Sequence, residues 1–384
     1  MIYLDNAATT YPKPASVAQA VYDFMRDKAA NPGRSGHKMS MAAAYEVYAC
    51  RNAVSELFNA PGPEYVAFTL NATQAINMAL KGVLLKNKGH VITSDLEHNA
   101  VMRPLYKLNS QGIRVSKAYV NLENDDETIA SFESLIESDT VMIACTHASN
   151  VCGRILPIKR IGELCKKYGL KFLVDASQTA GIIKIDMKEC GINYLCMPGH
   201  KSLYGPMGTG ILITSGDEAL ETIIEGGTGS NSVSLAQPDF MPDRMESGTV
   251  NAPGIAGLRA GIRFASKVIS GGIELNEMDG AAALYKALEK IDGAEIYTPY
   301  PDERYVPVIS FNIKGMASAD LAKILDKHGF ALRGGLHCSP SAHEHFGTID
   351  RGMVRASFGA FNTKKDALRL AAAIAQIAKH NPAE

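Results

Sequence analysis

The 384-residue sequence has no long apolar segment, no excess of charge and no paired-cysteine motif. The apolar run around residues 371–378 is far shorter than the ~18 residues that indicate a membrane span. The 39 Lys and Arg nearly balance the 40 Asp and Glu, so the net charge is −1 and no basic nucleic-acid footprint is expected. The first residues lack a basic start followed by an apolar core, and we expect no signal peptide. These absences argue against a membrane or nucleic-acid partner.

The seven cysteines form an odd set in which no CxxC pair occurs. Most of them lie inside apolar runs, which argues against a disulfide framework and favours a reducing, cytoplasmic location. Hydrophobic residues make up 46% of the chain and charged residues 21%, values typical of globular proteins rather than disordered or coiled-coil ones. The length allows two or three domains.

Short apolar runs alternate with amphipathic helical patterns through the first two thirds of the chain. A spacing of about 25 residues predicts βαβ units and a mainly parallel sheet covered on both faces. We expect strands at 65–70, 91–94, 141–145, 172–174, 194–197 and 210–214, and helices at 73–81, 158–168 and 217–224. Later elements are a strand at 306–313 and helices at 275–291, at 319–328 (capped by Ser318) and from Thr363. This predicts a large α/β domain at 16–260 and a small α+β domain formed by 1–15 and 261–384.

Polar side chains follow four of the predicted strands, at the ends where open α/β sheets bind ligands. They are His98, Asn150, Asp175 and Lys201. A single residue of this kind is commonly a loop contact. Four of them at one edge of one sheet indicate a site.

The residue types at this edge match pyridoxal 5′-phosphate (PLP). The helix that opens at 71–73 offers free N–H groups and the positive end of its dipole to a phosphate. A desolvated Lys201 can form a Schiff base with an aldehyde, and Asp175 can keep a pyridine nitrogen protonated. Each feature alone is better explained as a helix cap, an exposed lysine or a structural acid, and only the combination specifies the cofactor.

Longer strings resemble the class V aminotransferases, most closely the cysteine desulfurase and selenocysteine lyase branch. The matches run in order through nearly the whole chain: YLDNAATT at 3–10, ATQAIN at 72–77, EHN at 97–99, SNVCG at 149–153, VDASQ at 174–178, HKSLYGP at 200–206, ESGT at 246–249, RGGLHC at 333–338, RAS at 355–357 and NT at 362–363. Such coverage is far more specific than one short motif. It implies PLP-transferase fold type I, with a mainly parallel seven-stranded central sheet, helices on both faces and a smaller α+β domain.

The resemblance implies a role for each matching residue around the cofactor ring. Lys201 would hold PLP as a Schiff base, and Asp175 would pair with the pyridinium nitrogen. His98 would stack on the ring and relay protons. Gln178 and Asn150 would lie near the ring oxygen and the substrate.

The resemblance also implies how the phosphate is bound. Ala72, Thr73 and His200 would hold it, and Thr228 would approach from a partner subunit, so a homodimer is implied. Relatives usually carry Ser or Thr two residues before the His-Lys pair, where this chain has Pro198, which lacks both hydroxyl and N–H. Phosphate binding must therefore depend on the other groups.

Cys338 indicates which branch of the family the sequence resembles. It lies in a segment with Gly and Pro on either side, which is typical of a loop, and Arg333 and His337 nearby can favour its thiolate. The resemblance implies that L-cysteine becomes L-alanine and leaves a persulfide on Cys338, for transfer to an acceptor protein. Ala7, Arg333, Arg355 and Asn150 would bind the substrate, with the Arg355 guanidinium on its carboxylate.

The sequence leaves other functions open. Selenocysteine lyase is the main alternative, because selenium leaves more easily and that reaction need not use Cys338. Another class V aminotransferase or lyase, or a PLP-binding regulator, would leave Cys338 without a role. A zinc site built from His337, Cys338, His343 and His345 is disfavoured by the i, i+2 spacing of the last two histidines, and we expect no metal. Glycine-rich 205–210 lacks the order of a nucleotide-binding motif.

Overall fold

The structure, a computed structural model, describes residues 1–33, 35–271 and 277–380. Its helices are α1 (Ala15–Asp27), α2 (Lys38–Phe58), α3 (Ala72–Leu84), α4 (Asn99–Asn109), α5 (Asp125–Ser134), α6 (Ile158–Tyr168), α7 (Ala252–Ile269), α8 (Glu277–Leu288), α9 (Ser318–Lys327), α10 (Pro340–His345) and α11 (Lys364–His380). Its strands are β1 (Ile2–Tyr3), β2 (Val66–Thr69), β3 (His90–Ser94), β4 (Arg114–Ala118), β5 (Thr140–Thr146), β6 (Lys171–Asp175), β7 (Tyr194–Pro198), β8 (Gly210–Thr214), β9 (Ala294–Ile296), β10 (Val308–Ile313), β11 (Phe330–Ala331), β12 (Arg333–Gly335) and β13 (Met353–Ser357).

A seven-stranded sheet forms the centre of the large α/β part, in the order β2-β8-β7-β6-β5-β3-β4. Neighbouring strands from β7 to β4 are parallel, whereas β8 runs antiparallel to both β7 and β2. Ile143 and Cys145 of β5 pack into one apolar core with α2, α6 and α7, while Met142 and Ala144 pack into a second core with α3 and α4. Since alternate strand residues point to opposite faces, helices cover both faces, which confirms the predicted fold class.

The C-terminal part contains a four-stranded antiparallel sheet, β12-β13-β10-β9, whose apolar core includes residues of α8, α9 and α11. Strand β1 pairs in parallel with β11, and Asp5 bridges to Ser357, so the first residues of the chain join this part. Helix α7 runs without a break through residue 260, and the domain boundaries given above stay a prediction. The first turn of α11 is closed by Thr363 and Asp366, since each backbone N–H donates to the other residue's side chain.

Two local predictions were wrong. Residues 217–224 form no helix, because Glu218 is bound by Lys86 and Lys171 and the Leu220 side chain packs against α3. Ser318 does not cap α9 with its side chain, because its hydroxyl donates to the Arg351 carbonyl instead. The helix predicted at 275–291 corresponds to α8, and its first two residues lie outside the described part of the chain.

Candidate active site

The carboxyl ends of the parallel strands β3, β5, β6 and β7 meet at one edge of the central sheet. His98, Asn150, Asp175 and Lys201 line one cavity there, of about 220 Å³. The other predicted site residues that line it are Ala7, Ala72, Thr73, Gln178, His200, Arg333 and Arg355. The structure therefore brings together the predicted residues at one place, except Cys338, which lies beside the cavity, and Thr228.

Lys201 follows β7 on a turn that the N-terminal segment holds in place. The His200 carbonyl accepts one hydrogen bond from Lys13 Nζ at 2.9 Å and another from the Thr9 hydroxyl at 3.1 Å. The Thr10 hydroxyl donates a hydrogen bond to the Lys201 carbonyl at 2.9 Å. Burial of the amine lowers the pKa of Lys201 to about 8, although the nearby Asp175 carboxylate opposes this shift. A larger fraction of the amine is therefore neutral at pH 7 than in a free lysine, which suits a nucleophile toward an aldehyde.

Asp175 is the last residue of β6 and is buried. Its Oδ1 accepts the backbone N–H and the hydroxyl of Ser177. Within the described residues Oδ2 has no hydrogen-bond partner. Burial raises the pKa of Asp175, because charging a carboxylate away from water is unfavourable. A protonated pyridine nitrogen would remove this cost, so the residue fits the predicted role toward PLP.

His98 precedes α4, where its Nδ1 accepts the Ala100 backbone N–H at 3.0 Å. This bond fixes the ring orientation and leaves the proton of the neutral imidazole on Nε2, an assignment inferred from the hydrogen bond. Burial, reinforced by Lys201 and three arginines, lowers the pKa of His98 to about 4. The ring is therefore neutral at physiological pH, which is compatible with stacking on a cofactor ring.

The N-terminus of α3 opens into the same cavity. Asn71 caps the helix by accepting the Gln74 N–H at 2.9 Å, which leaves the N–H groups of Ala72 and Thr73 without an acceptor in the described chain. His200 lies beside them, with its Nδ1 3.1 Å from the Thr9 hydroxyl. Free N–H groups at a helix N-terminus suit a phosphate. Pro198 offers no donor, so among the described residues that line the cavity these groups fit the phosphate.

Arg355 is a buried cation, with a side chain 1% exposed, on strand β13. Its Nη2 donates to Asp5 Oδ1 at 2.7 Å, and its Nη1 donates to the Asn150 carbonyl at 2.9 Å. Its Nε is buried and has no hydrogen-bond partner among the described residues. An unpaired N–H on a buried guanidinium that lines the cavity fits a substrate carboxylate.

Cys338 follows β12 and is the exposed cysteine among the seven, all of which are free thiols. Arg333 Nη2 donates a hydrogen bond to its Sγ at 3.5 Å. His337 does not add a charge, contrary to our expectation, because burial lowers its pKa well below the usual value. Its Nε2 lies 3.1 Å from the Arg333 carbonyl and its Nδ1 3.4 Å from His343, so a neutral ring links the two ends of the loop.

Gln178 and Ala7 contact each other at the edge of the cavity. Gln178 Nε2 donates to the Ala7 carbonyl at 3.1 Å, and the Ala7 N–H donates to the Ser357 hydroxyl at 2.9 Å. The side-chain amide of Gln178 keeps its oxygen free for a ligand within the described part of the chain. The opening segment is therefore part of the cavity wall.

Thr228 lies elsewhere, in a separate cleft that includes Asn31, Tyr48 and Arg51. Its hydroxyl is 3.1 Å from the Ser230 hydroxyl. Within one chain it takes no part in the cavity around Lys201. The prediction that it reaches the phosphate requires a second subunit.

Sequence reasoning missed the residues that support the site. Asp5 pairs with Arg355, Ser177 binds Asp175, and Asn99 donates its N–H to the Cys338 carbonyl at 2.7 Å. Glu97 is fully buried and accepts the Thr146 N–H at 2.8 Å, and burial raises its pKa to about 8. Each of these residues lies inside a matching string, but the partners of Asp5, Asn99 and Glu97 are distant in sequence and no local pattern identifies them.

The alternative zinc site does not assemble. Among the described residues no group of three His, Cys, Asp or Glu side chains is arranged to hold a metal. His343 binds the Thr348 hydroxyl at 2.9 Å, and His345 binds Asp95 at 2.7 Å.

In the described part of the chain we find no helix with the length and apolar content needed to cross a membrane.

The model of the class V aminotransferase family matches residues 2–370. The chain belongs to the class V aminotransferase family. This assignment identifies a PLP-dependent enzyme, and it confirms the resemblance found in the sequence. The residues described above fit that cofactor at its ring nitrogen, aldehyde and phosphate.

Individual relatives agree with this assignment. A probable cysteine desulfurase from Methanothermobacter thermautotrophicus is 33% identical over 386 residues, covering 98% of this chain and 94% of the relative. A cysteine desulfurase from Yersinia pestis is 30% identical over 390 residues, covering 99% of this chain and 94% of the relative. The apo structure of a cysteine desulfurase from Thermococcus onnurineus superimposes with a TM-score of 0.91 at 28% identity, covering 99% and 95% of the two chains. An Escherichia coli cysteine desulfurase in an S-sulfonic acid form gives a TM-score of 0.85 at 26% identity, covering 98% and 94%.

Proposed function

We propose that this enzyme is a cysteine desulfurase that converts L-cysteine to L-alanine and leaves a persulfide on Cys338. The observation that carries the proposal is the exposed Cys338 thiol, 3.5 Å from Arg333 Nη2, beside the cavity that contains Lys201 and Asp175. The names of the relatives and the structural neighbours support the same activity. No other exposed thiol is found among the described residues.

The bound cofactor would supply an aldehyde for Schiff-base formation with Lys201 and a ring that accepts negative charge from the substrate Cα. Asp175 would keep the ring nitrogen protonated through its free Oδ2. Arg355 would orient the substrate by binding its carboxylate. The neutral imidazole of His98 would stack on the cofactor ring. The amine of Lys201, whose pKa is lowered to about 8, would move the Cα proton at Nζ.

Cys338 would then act as the nucleophile. Its thiolate attacks the substrate sulfur, the bond from sulfur to the substrate Cβ breaks, and the Cβ takes a proton. L-cysteine and a thiol thus give L-alanine and a persulfide, and the atoms and electrons balance without a further reductant. The Arg333 guanidinium would hold the thiolate charge before the attack.

Replacement of Cys338 separates this reaction from other uses of the site. Cys338→Ala should keep the visible absorbance of the bound cofactor but produce neither alanine from cysteine nor a persulfide. Selenocysteine should still be converted at a substantial rate. Cys152→Ala, at a buried thiol, serves as the control and should keep desulfurase activity. Full cysteine desulfurase activity in Cys338→Ala would refute the proposed nucleophile.

The proposal includes a homodimer in a reducing, cytoplasmic compartment and an acceptor protein for the sulfur. Support for the dimer comes from the segment around Thr228, in which Val233 and Leu235 are fully exposed and Phe240 is half exposed. Large exposed apolar side chains in one segment are typical of an interface. Support for the acceptor comes from the exposure of Cys338, which leaves a persulfide accessible to another protein. A sedimentation experiment on the holoprotein would test the dimer directly.

A further inference from the structure

The side-chain amide of Asn150 binds the loop on both sides of Cys338. Its Nδ2 donates to the His337 carbonyl at 2.9 Å, and its Oδ1 accepts the Ser339 hydroxyl at 2.7 Å. Asn150 is 7% exposed and Ser339 is fully buried, so water does not compete freely for these bonds. The amide thus holds the residues on either side of Cys338, which is the one exposed residue of the segment 337–339.

The backbone of this segment needs such a restraint. His337 and Cys338 have φ angles of 51° and 58°, and two consecutive residues other than glycine in the left-handed region are unfavourable. Conformations of this kind persist where the surroundings hold them. The Asn99 N–H binds the Cys338 carbonyl at 2.7 Å, so three successive residues of the loop are tied to the large α/β part.

The same asparagine is tied to the substrate side of the cavity. Its backbone carbonyl accepts Arg355 Nη1 at 2.9 Å, and Arg355 carries the unpaired Nε described above. One residue therefore connects the expected carboxylate ligand to the loop that carries the thiol. Within the described chain the Asn150 amide keeps one N–H free for a ligand. Its contacts with the loop therefore leave room for a direct contact between Asn150 and the cofactor or substrate.

We propose that Asn150 is a positioning residue for the Cys338 nucleophile, holding His337 and Cys338 in their left-handed conformation through its side-chain amide. The role rests on the proposed function, because it concerns the sulfur-transfer step. Loss of the amide contacts should slow the attack on sulfur and leave substrate binding and the cofactor unchanged. Ser339 provides the cleanest test, because it contacts Asn150 and does not line the cavity.

The experiment compares Ser339→Ala with Ser341→Ala in the holoenzyme. Ser341 is a buried serine in α10 whose hydroxyl makes no hydrogen bond that we find in the described chain. Ser339→Ala should lower kcat for cysteine roughly tenfold with KM, cofactor absorbance and selenocysteine turnover unchanged. Ser339→Thr, which keeps the hydroxyl, should recover most of the rate. Hydrogen exchange of the peptide containing 337–345, measured without substrate, should be severalfold faster in Ser339→Ala than in the wild type and in Ser341→Ala.

A double-mutant cycle completes the test. In an Asn150→Ala background, the Ser339→Ala change should reduce kcat by less than about twofold more, because the contact is already lost. If the two substitutions lowered kcat independently, so that their effects multiplied, the positioning role would be overturned. It would also be overturned if Ser339→Ala had the same kcat as Ser341→Ala, or if it lost cysteine and selenocysteine turnover equally. A wild-type protein that forms no persulfide at all overturns the proposed function itself, and the positioning role with it.

Discussion

Replacing Arg355 by lysine should weaken recognition of the substrate carboxylate. The guanidinium is held by Asp5 and by the Asn150 carbonyl, and its buried Nε has no partner among the described residues. Lysine keeps the charge but cannot present two N–H groups in a fixed fork. The loss of one charge-assisted hydrogen bond costs about 1.5–3 kcal/mol, which corresponds to a fall of about 10- to 150-fold in kcat/KM. We expect most of this fall in kcat/KM to appear as a higher KM.

The assay measures initial rates of alanine formation against the concentration of L-cysteine. Cysteine methyl ester, which lacks the carboxylate, should be converted with nearly the same kcat/KM by wild type and Arg355→Lys. Arg351→Lys is the control, because Arg351 pairs with Glu295 at the surface. A change below about threefold in Arg355→Lys, or equal losses on cysteine and its ester, would refute the assigned carboxylate contact.

Three further predictions concern charge in the site and in the core. In the apoprotein, reaction of Lys201 with an amine reagent should rise with pH through about 8, because the neutral amine reacts and burial lowers this pKa; a midpoint near that of free lysine would contradict the burial. Asp175→Asn should retain the cofactor but lose about 100-fold in kcat for alanine formation, since an amide cannot stabilise a protonated ring nitrogen. Arg51→Met should lower the free energy of unfolding by about 3–5 kcal/mol in denaturant titrations, because it leaves the buried Glu246 carboxylate without its cation.

Much of the large α/β part could be predicted from the sequence because its strands are buried on both faces. Strands β5 to β8 are continuous apolar runs. The residues that follow the parallel strands β5, β6 and β7 are necessarily at one sheet edge. Strand β4 was not recognised, because it lies at the sheet edge and carries exposed polar residues such as Arg114 and Lys117. Edge strands lack the apolar signal on which the prediction depends.

The site could be predicted as a set of residues but not as a set of contacts. The matching strings contain all the predicted site residues that line the cavity, whereas the ion pair between Asp5 and Arg355 joins positions 350 residues apart. The neutral state of His337 also depends on burial, which adjacent charged residues in the sequence do not reveal. Pairing and burial over such distances arise only when the chain folds.

The attachment point of the cofactor tests the central claim most directly. The holoprotein is reduced with borohydride, digested and analysed by mass spectrometry. We expect the reduced pyridoxyl phosphate adduct on Lys201. Lys13 is an informative competitor, because it lies next to His200 and burial lowers its pKa to about 8 as well. An adduct on Lys13, on another lysine or on none would contradict the account.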